Sequence, residues 1–385
     1  MSTHPTLPTD HWVRPEALPL TGPDSVALQA TLDQRLPRDD IAEAKALRQS
    51  MVPAVSDPTP LYDLPGLAAE LGLGVLRIKD EGQRAGKGGV KALGAPIALA
   101  RALARRATSD AAPNAKPLAV AATDGNHGLA LAWSATLLGC RAKIFMGREA
   151  DPRRAARIRA EGAEVVILPG TYDDAVRAAE DLAAADPAQV LLITDTDYGD
   201  SIPSARDTMI GYTLAGMELA AQWPEGPTHV LAQCGVGGVA ASVIGGWLQA
   251  MGVAALPKVI TVEPTRAAPM LASLRAGTSQ AVGGGLETEM AGLACGEVST
   301  PAFALMRQMA IAALSVEDTD IHPAMARLAA GQGGDPAVMA GDTGIAGLVG
   351  LRALCADQSL SASVGLGSES RVLLLCTEGP VPESA

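Results

Sequence analysis

Lys79-Asp80-Glu81-Gly82-Gln83-Arg84-Ala85-Gly86-Lys87-Gly88-Gly89-Val90-Lys91-Ala92-Leu93-Gly94 is the stretch whose reading decides the fold. An apolar, strand-like segment (Val75-Leu76-Arg77-Ile78) precedes it and closely spaced glycines fill it. A helical pattern rich in Ala, Leu and Ile follows to about Arg106, with Pro96 tolerable only near the first turn. Lys91 therefore stands where a glycine loop meets a helix start. The positive end of the helix dipole there disfavours its charge. A lysine pushed toward neutrality is what Schiff-base chemistry needs. Taken alone, such a lysine is more often a solvated loop charge; three segments downstream change that balance.

Outward from this stretch the chain alternates strand and helix. Strands are expected at 75–78, 118–122, 142–146, 164–168, 190–194, 228–233, 259–262 and 372–376. Helical patterns separate them at 95–106, 126–138, 152–161, 172–185, 207–222, 238–251 and 265–276. Strands spaced by helices of this length imply an α/β fold with parallel sheets and right-handed crossovers. The four strands between 118 and 194 are expected to close a small sheet of their own. Segments before Lys91 and after Asp200 then build a larger one. The expected division is an irregular N-terminal arm (1–35), a large domain (36–92 and 201–385) and a small α/β domain (93–200). Ligands of such sheets bind at the carboxyl ends of strands.

Composition is that of an ordinary globular protein, and 385 residues suffice for two lobes. A formal charge of -12 argues against nucleic acid or an anionic membrane as main partner. Cys140, Cys234, Cys295, Cys355 and Cys376 are widely spread with no C-x-x-C pair, so they read as reduced and mostly buried. His4, His11, His229 and His322 show no metal spacing, and no metal is expected. The first residues lack a basic region followed by an apolar run, and apolar runs elsewhere are broken well short of a membrane span. A cytoplasmic location is the resulting expectation.

Three segments join Lys91. Ala121-Ala122-Thr123-Asp124-Gly125-Asn126-His127-Gly128 follows an apolar strand and opens a helix. A capped turn explains one polar residue of it; an acid, an amide and an imidazole facing one cavity explain the whole run. Gln233-Cys234-Gly235-Val236-Gly237-Gly238-Val239-Ala240 is again strand, glycine turn and helix, where converging backbone N–H groups favour an anion. It is neither a G-x-G-x-x-G fingerprint nor a Walker ending, so a monophosphate fits better than a dinucleotide or triphosphate. Leu373-Leu374-Leu375-Cys376-Thr377-Glu378-Gly379 is a late apolar strand ending in a hydroxyl, and alone it reads as a core strand with a polar turn. A reactive lysine, a phosphate cup, an amide-bearing loop and a strand-end hydroxyl together describe a site for pyridoxal 5'-phosphate.

In this order and spacing, residues 57 to 380 resemble the fold-type-II (tryptophan synthase β-like) pyridoxal-phosphate enzymes, and among them the diaminopropionate ammonia-lyase family. The marks are K-D-E, R-x-G and K-A-L-G between Lys79 and Gly94, A-T-D-G-N-H-G from Ala122 to Gly128, and A-G-L-A-C-G-E from Ala291 to Glu297. G-V-G-G and C-T-E-G add support. The resemblance implies two lobes, each a mostly parallel twisted sheet flanked by helices. It implies that Lys91 bonds to the cofactor and then acts as a base. Asn126 would hold the cofactor's ring hydroxyl, Gly235, Val236, Gly237, Gly238 and Val239 its phosphate, and Thr377 its pyridine nitrogen. Asp124 matches the acid that takes the α-proton on the face opposite the lysine. Asp195, in Thr194-Asp195-Thr196, looks like a second family acid near the substrate amines, against the plainer reading of a surface carboxylate. His127 orients the loop, contacts the phosphate, or is structural.

The chain also departs from that family. Val90 stands where Phe is usual, Gly88-Gly89 replaces a more polar pair, and Asp197-Tyr198-Gly199-Asp200-Ser201-Ile202-Pro203 replaces an aromatic W-E-G-Y-type run. G-E-S-G appears as Gly341-Asp342-Thr343-Gly344. The function these readings favour is an ammonia-lyase that eliminates the β-amino group of a small 2,3-diamino acid, giving a 2-oxo acid and ammonia. The alternative is a dehydratase of a β-hydroxy amino acid such as threonine, serine or hydroxyaspartate, which usually carries S-G-N-H where this chain has Asp124. A remote third reading is a non-catalytic cofactor-binding protein. A homodimer acting on a small amino acid is what the resemblance implies.

Overall fold

The computed structural model describes residues 7–15, 23–51, 57–108, 116–123 and 125–382. Its strands are β1 (Asp10–Val13), β2 (Leu61–Asp63), β3 (Val75–Asp80), β4 (Leu118–Ala122), β5 (Arg141–Met146), β6 (Glu164–Ile167), β7 (Val190–Leu192), β8 (His229–Gln233), β9 (Lys258–Pro264), β10 (Ala310–Val316) and β11 (Arg371–Cys376). Its α-helices are α1 (Pro23–Arg35), α2 (Arg38–Met51), α3 (Pro65–Glu70), α4 (Lys91–Ala107), α5 (Asn126–Leu138), α6 (Pro152–Ala160), α7 (Tyr172–Ala185), α8 (Pro203–Gln222), α9 (Gly238–Met251), α10 (Pro269–Ala276), α11 (Thr300–Met309), α12 (Ile321–Ala329), α13 (Ala346–Ala356) and α14 (Gln358–Val364).

Two sheets organise them. One runs β1-β10-β9-β8-β11-β3-β2 and is parallel except at its edges, where β1 and β2 pair antiparallel. The other, β6-β5-β4-β7, is parallel throughout and lies within residues 118–192, as the strand spacing implies. Strands buried on both faces read as continuous apolar runs, and Leu373, Leu374 and Leu375 of β11 obey this. The fold is the two-sheet α/β architecture expected from the sequence.

The departures have local causes. The stretch expected to be an irregular arm holds β1 and α1; Leu28 and Leu32, with Leu36 just beyond, are fully buried at helical spacing and pin α1 to the body. β10 escapes the sequence pattern because α11 runs straight into it and its alanines read as helix. β2 is only three residues long. Helix α4 begins at Lys91 itself, so Pro96 sits in the second turn rather than the first. Of the cysteines, Cys234 and Cys376 are buried, while Cys140, Cys295 and Cys355 are only partly so.

Helices α4 and α8 cross where neither has a side chain. A Cβ on Gly94 would lie 2.4 Å from Tyr212 Cε1, and one on Gly211 would lie 2.5 Å from the Leu93 carbonyl oxygen. This close approach carries the start of α4, and with it Lys91, onto the Tyr212 face of α8.

Candidate active site

Two chain segments are stitched together around Lys91. Val90 donates its backbone N–H to the Thr377 carbonyl at 2.9 Å, and Gly379 donates to the Gly88 carbonyl at 3.1 Å. Gly89 bridges Glu378 in antiparallel fashion, and a Cβ on Gly89 would lie 2.9 Å from the Thr377 carbonyl. Gly89 thus has a steric reason: the chain after β11 occupies the space of a side chain. Gly88 adds a φ of 77°, which glycine adopts without strain.

Lys91 Nζ stands 2.5 Å from Asp195 Oδ2 and 5.4 Å from the centre of the Tyr212 ring. Its protonation runs against the expectation drawn from the helix dipole. Burial does pull the ammonium's pKa down, but the Asp195 carboxylate, with a smaller contribution from Tyr212, outweighs it and drives the pKa up. A charge in direct contact acts more strongly than the partial charge of a helix terminus. Asp195 is correspondingly held well below the usual carboxylate range: burial favours its neutral form, and Lys91 and then His127 more than reverse this. Asp195 is no surface carboxylate. Its backbone also touches the glycine turn, for a Cβ on Gly238 would lie 3.6 Å from the Asp195 carbonyl oxygen. Asp195 thus stands between Lys91, which its side chain meets, and Gly238 of the cup, which its backbone meets.

That cup has the form an anion needs. Gly237 caps α9 with a left-handed φ of 91°, and the first N–H groups of a helix have no partner within it. A Cβ on Gly235 would lie 3.0 Å from Cys295 Sγ and 3.2 Å from the Gly292 carbonyl, so the A-G-L-A-C-G-E segment walls the turn from behind. Val236 lies in the same turn and Val239 in the first turn of α9; Val236 accepts at its carbonyl from the Ser299 N–H at 2.9 Å.

Thr377 is prepared by a residue to which the sequence reading gave no role. Gln233 Nε2 points at the carbonyls of Leu375 (2.8 Å) and Thr343 (3.2 Å) and at Thr377 Oγ1 (3.0 Å). Carbonyl oxygens only accept, which fixes the amide orientation and makes Thr377 Oγ1 an acceptor from Gln233. The threonine hydrogen is then free to be donated into the site. That suits an unprotonated ring nitrogen. A polar residue ending a fully buried strand was the signal that could have found Gln233.

Asn126 opens α5 and donates its amide to Glu378 Oε2; Glu378 Oε1 accepts from the Thr343 N–H at 3.1 Å. The segment 341–344 is in turn tied to the A-G-L-A-C-G-E segment, where Gly292 N–H donates to Thr343 Oγ1 at 3.0 Å. Asp124 lies outside the described residues. Sequence reasoning missed Tyr212, a fully buried phenol whose ring centre lies 5.4 Å from Lys91 Nζ, and Glu378. Tyr212 sits mid-helix without a motif around it.

The donor set fits pyridoxal phosphate: an amine, a free hydroxyl donor, an amide, and a glycine turn at a helix start that packs against its backing too closely at Gly235 and Gly237 for any side chain. The family of pyridoxal-phosphate dependent enzymes matches residues 54–378. Diaminopropionate ammonia-lyase of Salmonella typhimurium is 34% identical over 83% of this chain and 85% of its own length. The crystal structure of Escherichia coli diaminopropionate ammonia lyase with an aminoacrylate-PLP azomethine reaction intermediate superposes with a TM-score of 0.83, 29% identity and coverage of 98% of this chain and 95% of that one. The same enzyme in complex with D-serine gives a TM-score of 0.84 at 28% identity, with the same coverage. On geometry and likeness together, the chain belongs to the fold-type-II pyridoxal-phosphate dependent enzymes.

Proposed function

We propose that this chain is an ammonia-lyase that eliminates the β-amino group of a small 2,3-diamino acid such as diaminopropionate, releasing a 2-oxo acid and ammonia. The observation that carries the reading is Asp195 Oδ2 holding an alkylammonium, that of Lys91, at 2.5 Å beside the glycine cup. A substrate that brings a second ammonium into this space meets a carboxylate that keeps it charged, as a departing amine requires. When bound, pyridoxal phosphate supplies the electron sink that lets the α-proton leave.

This chain's residues supply the rest. Lys91 would hold the cofactor at its aldehyde carbon and afterwards move a proton at the substrate's α-carbon. Lys91 serves one substrate enantiomer and Asp124, on the opposite face, takes the α-proton of the other, which opens the site to both. Asn126 would orient the ring oxygen, the backbone of Gly235, Val236, Gly237, Gly238 and Val239 would take the phosphate, and Thr377 would donate to the ring nitrogen with Gln233 behind it. A hydroxyl in place of a carboxylate at that nitrogen favours elimination over reactions needing a long-lived carbanion. The small domain spans 93–200, the large one 36–92 and 201–385, and the working form is a cytoplasmic homodimer. Among the described residues no helix is long and apolar enough to cross a membrane.

The test is a substrate panel scored for both products. A 2,3-diamino acid yields two ammonia for each 2-oxo acid, because the enamine left after elimination hydrolyses to release the second; a β-hydroxy amino acid yields one. Turnover of serine, threonine or hydroxyaspartate with none of diaminopropionate would overturn the proposal in favour of the dehydratase. Sedimentation of the holoenzyme decides the dimer.

A further inference from the structure

Asp195 has two basic neighbours, and the reaction uses only one. His127 is buried, and its Nε2 lies 2.8 Å from the Ile193 carbonyl oxygen. A carbonyl only accepts, so Nε2 carries a hydrogen. Its Nδ1 has no hydrogen-bond partner among the described residues and lies 3.9 Å from Asp195 Oδ2, the oxygen that Lys91 contacts. A neutral ring in this tautomer turns a lone pair toward a carboxylate. A doubly protonated ring turns an N–H toward it. With the Lys91 ammonium at 2.5 Å, Asp195 already has its counter-charge.

We propose that His127 is a positioning residue that replaces Lys91 as the cation beside Asp195 once the lysine nitrogen is bonded to the cofactor. Drawing Nζ to the cofactor withdraws the primary ammonium from Asp195 and leaves a half-buried carboxylate without its closest cation. Such a charge is costly unless a partner charges. His127 is the remaining basic side chain against that oxygen: Tyr212 on α8 is a neutral phenol, and Lys91 on α4 has been drawn away. His127 takes one proton from solvent at Nδ1 and holds Asp195 ionised and aimed into the site. When the substrate's ammonium arrives at Asp195, His127 returns that proton.

The inference rests on the cofactor reading, and the test separates the two. Nitrogen-15 histidine spectra are recorded at one neutral pH for the protein free of cofactor and loaded with pyridoxal phosphate, with the visible absorption band followed in the same samples. The expected result is that His127 changes on loading from singly protonated, with a bare Nδ1, to doubly protonated. The His127 signal is assigned by its loss in His127→Gln. If that variant does not fold, Gln at His4, His11, His229 and His322 in turn leaves one signal unassigned. An Nδ1 that stays bare while the band forms overturns the role of His127 and leaves the cofactor reading intact; absence of the band overturns both. In folded His127→Gln, Asp195 protonates more readily, so the acid limb of kcat/KM moves up by about one pH unit. A merely structural histidine leaves that limb in place.

Discussion

Replacing Asp195 with Asn tests the pairing at the centre of the site. At 2.5 Å and an effective dielectric of about 20, the attraction between the Lys91 and Asp195 charges is about 7 kcal/mol before desolvation. Burial works against it, since both groups are partly withdrawn from water, and Asn retains a dipole. If about 3 kcal/mol survives, the Lys91 ammonium becomes about two pH units easier to deprotonate in the variant. Only the neutral amine bonds to an aldehyde. The pH at which cofactor loading reaches half its limiting rate, followed by growth of the visible band in stopped flow, therefore moves about two units toward acid in Asp195→Asn. Turnover of diaminopropionate moves the opposite way, with kcat/KM falling on the order of 100-fold as the ammonium loses its carboxylate. A loading midpoint that stays put, or moves toward alkali, would refute the claim that Asp195 sets the protonation of Lys91.

Other expectations address the frame around this pair. Gly237→Ala places a Cβ 2.6 Å from Met270 Cε at a φ of 91°; a loss of about 1–3 kcal/mol in thermal unfolding, with weaker phosphate-dependent loading, is expected. Gln233→Leu strips a buried donor from Thr377 Oγ1 and two carbonyls; about 1–3 kcal/mol of stability and a shift of the visible band should follow, and an unchanged band would count against the Thr377 role. Glu218 joins Lys79 on β3 to Arg84 and Arg48. Burial favours its neutral acid, yet Arg84 first and then Lys79 bring it down to about 2, so its contribution is present above the ordinary carboxylate range and fades as pH falls through about 2. Glu218→Ala, which strands these cations, should cost about 3–5 kcal/mol in urea unfolding. Glu263 is pushed by burial up to about 8 despite accepting the Met270 and Leu271 N–H groups. Its stabilisation is present below the ordinary glutamate value and is lost as pH rises through about 8, a decline that Glu263→Gln should flatten.

The residues proposed to carry cofactor chemistry were legible where each lies at a strand end beside a helix start, where a polar run interrupts an apolar pattern. Lys91, Asn126 and the turn at 235–239 all have that form. Asp195 was legible only through resemblance, and the structure supplies the reason for it. Gln233, Glu378, His127 and Tyr212 act through partners distant in sequence: Gln233 reaches Thr377, Glu378 meets Asn126, and Tyr212 meets Lys91 across a glycine crossing. Periodicity reports which face of an element is buried but not which element lies against it. The same limit hid β10, whose alanines suit a helix as well as a strand surrounded by neighbours. Lys91 was misjudged electrostatically for this reason as well, since its controlling charge lies 104 positions away.

The position of β11 has a consequence for assembly. It inserts between β8 and β3, so the middle of the larger sheet waits for a segment that follows β3 by about 300 residues. During synthesis the lysine loop has no Thr377 carbonyl to receive its N–H, and the hydroxyl proposed to meet the ring nitrogen is absent. A nascent polypeptide halted before Arg371 would expose an open slot flanked by two parallel edges, a natural target for chaperones. Vitamin capture would then report that the ribosome has carried translation past this keystone.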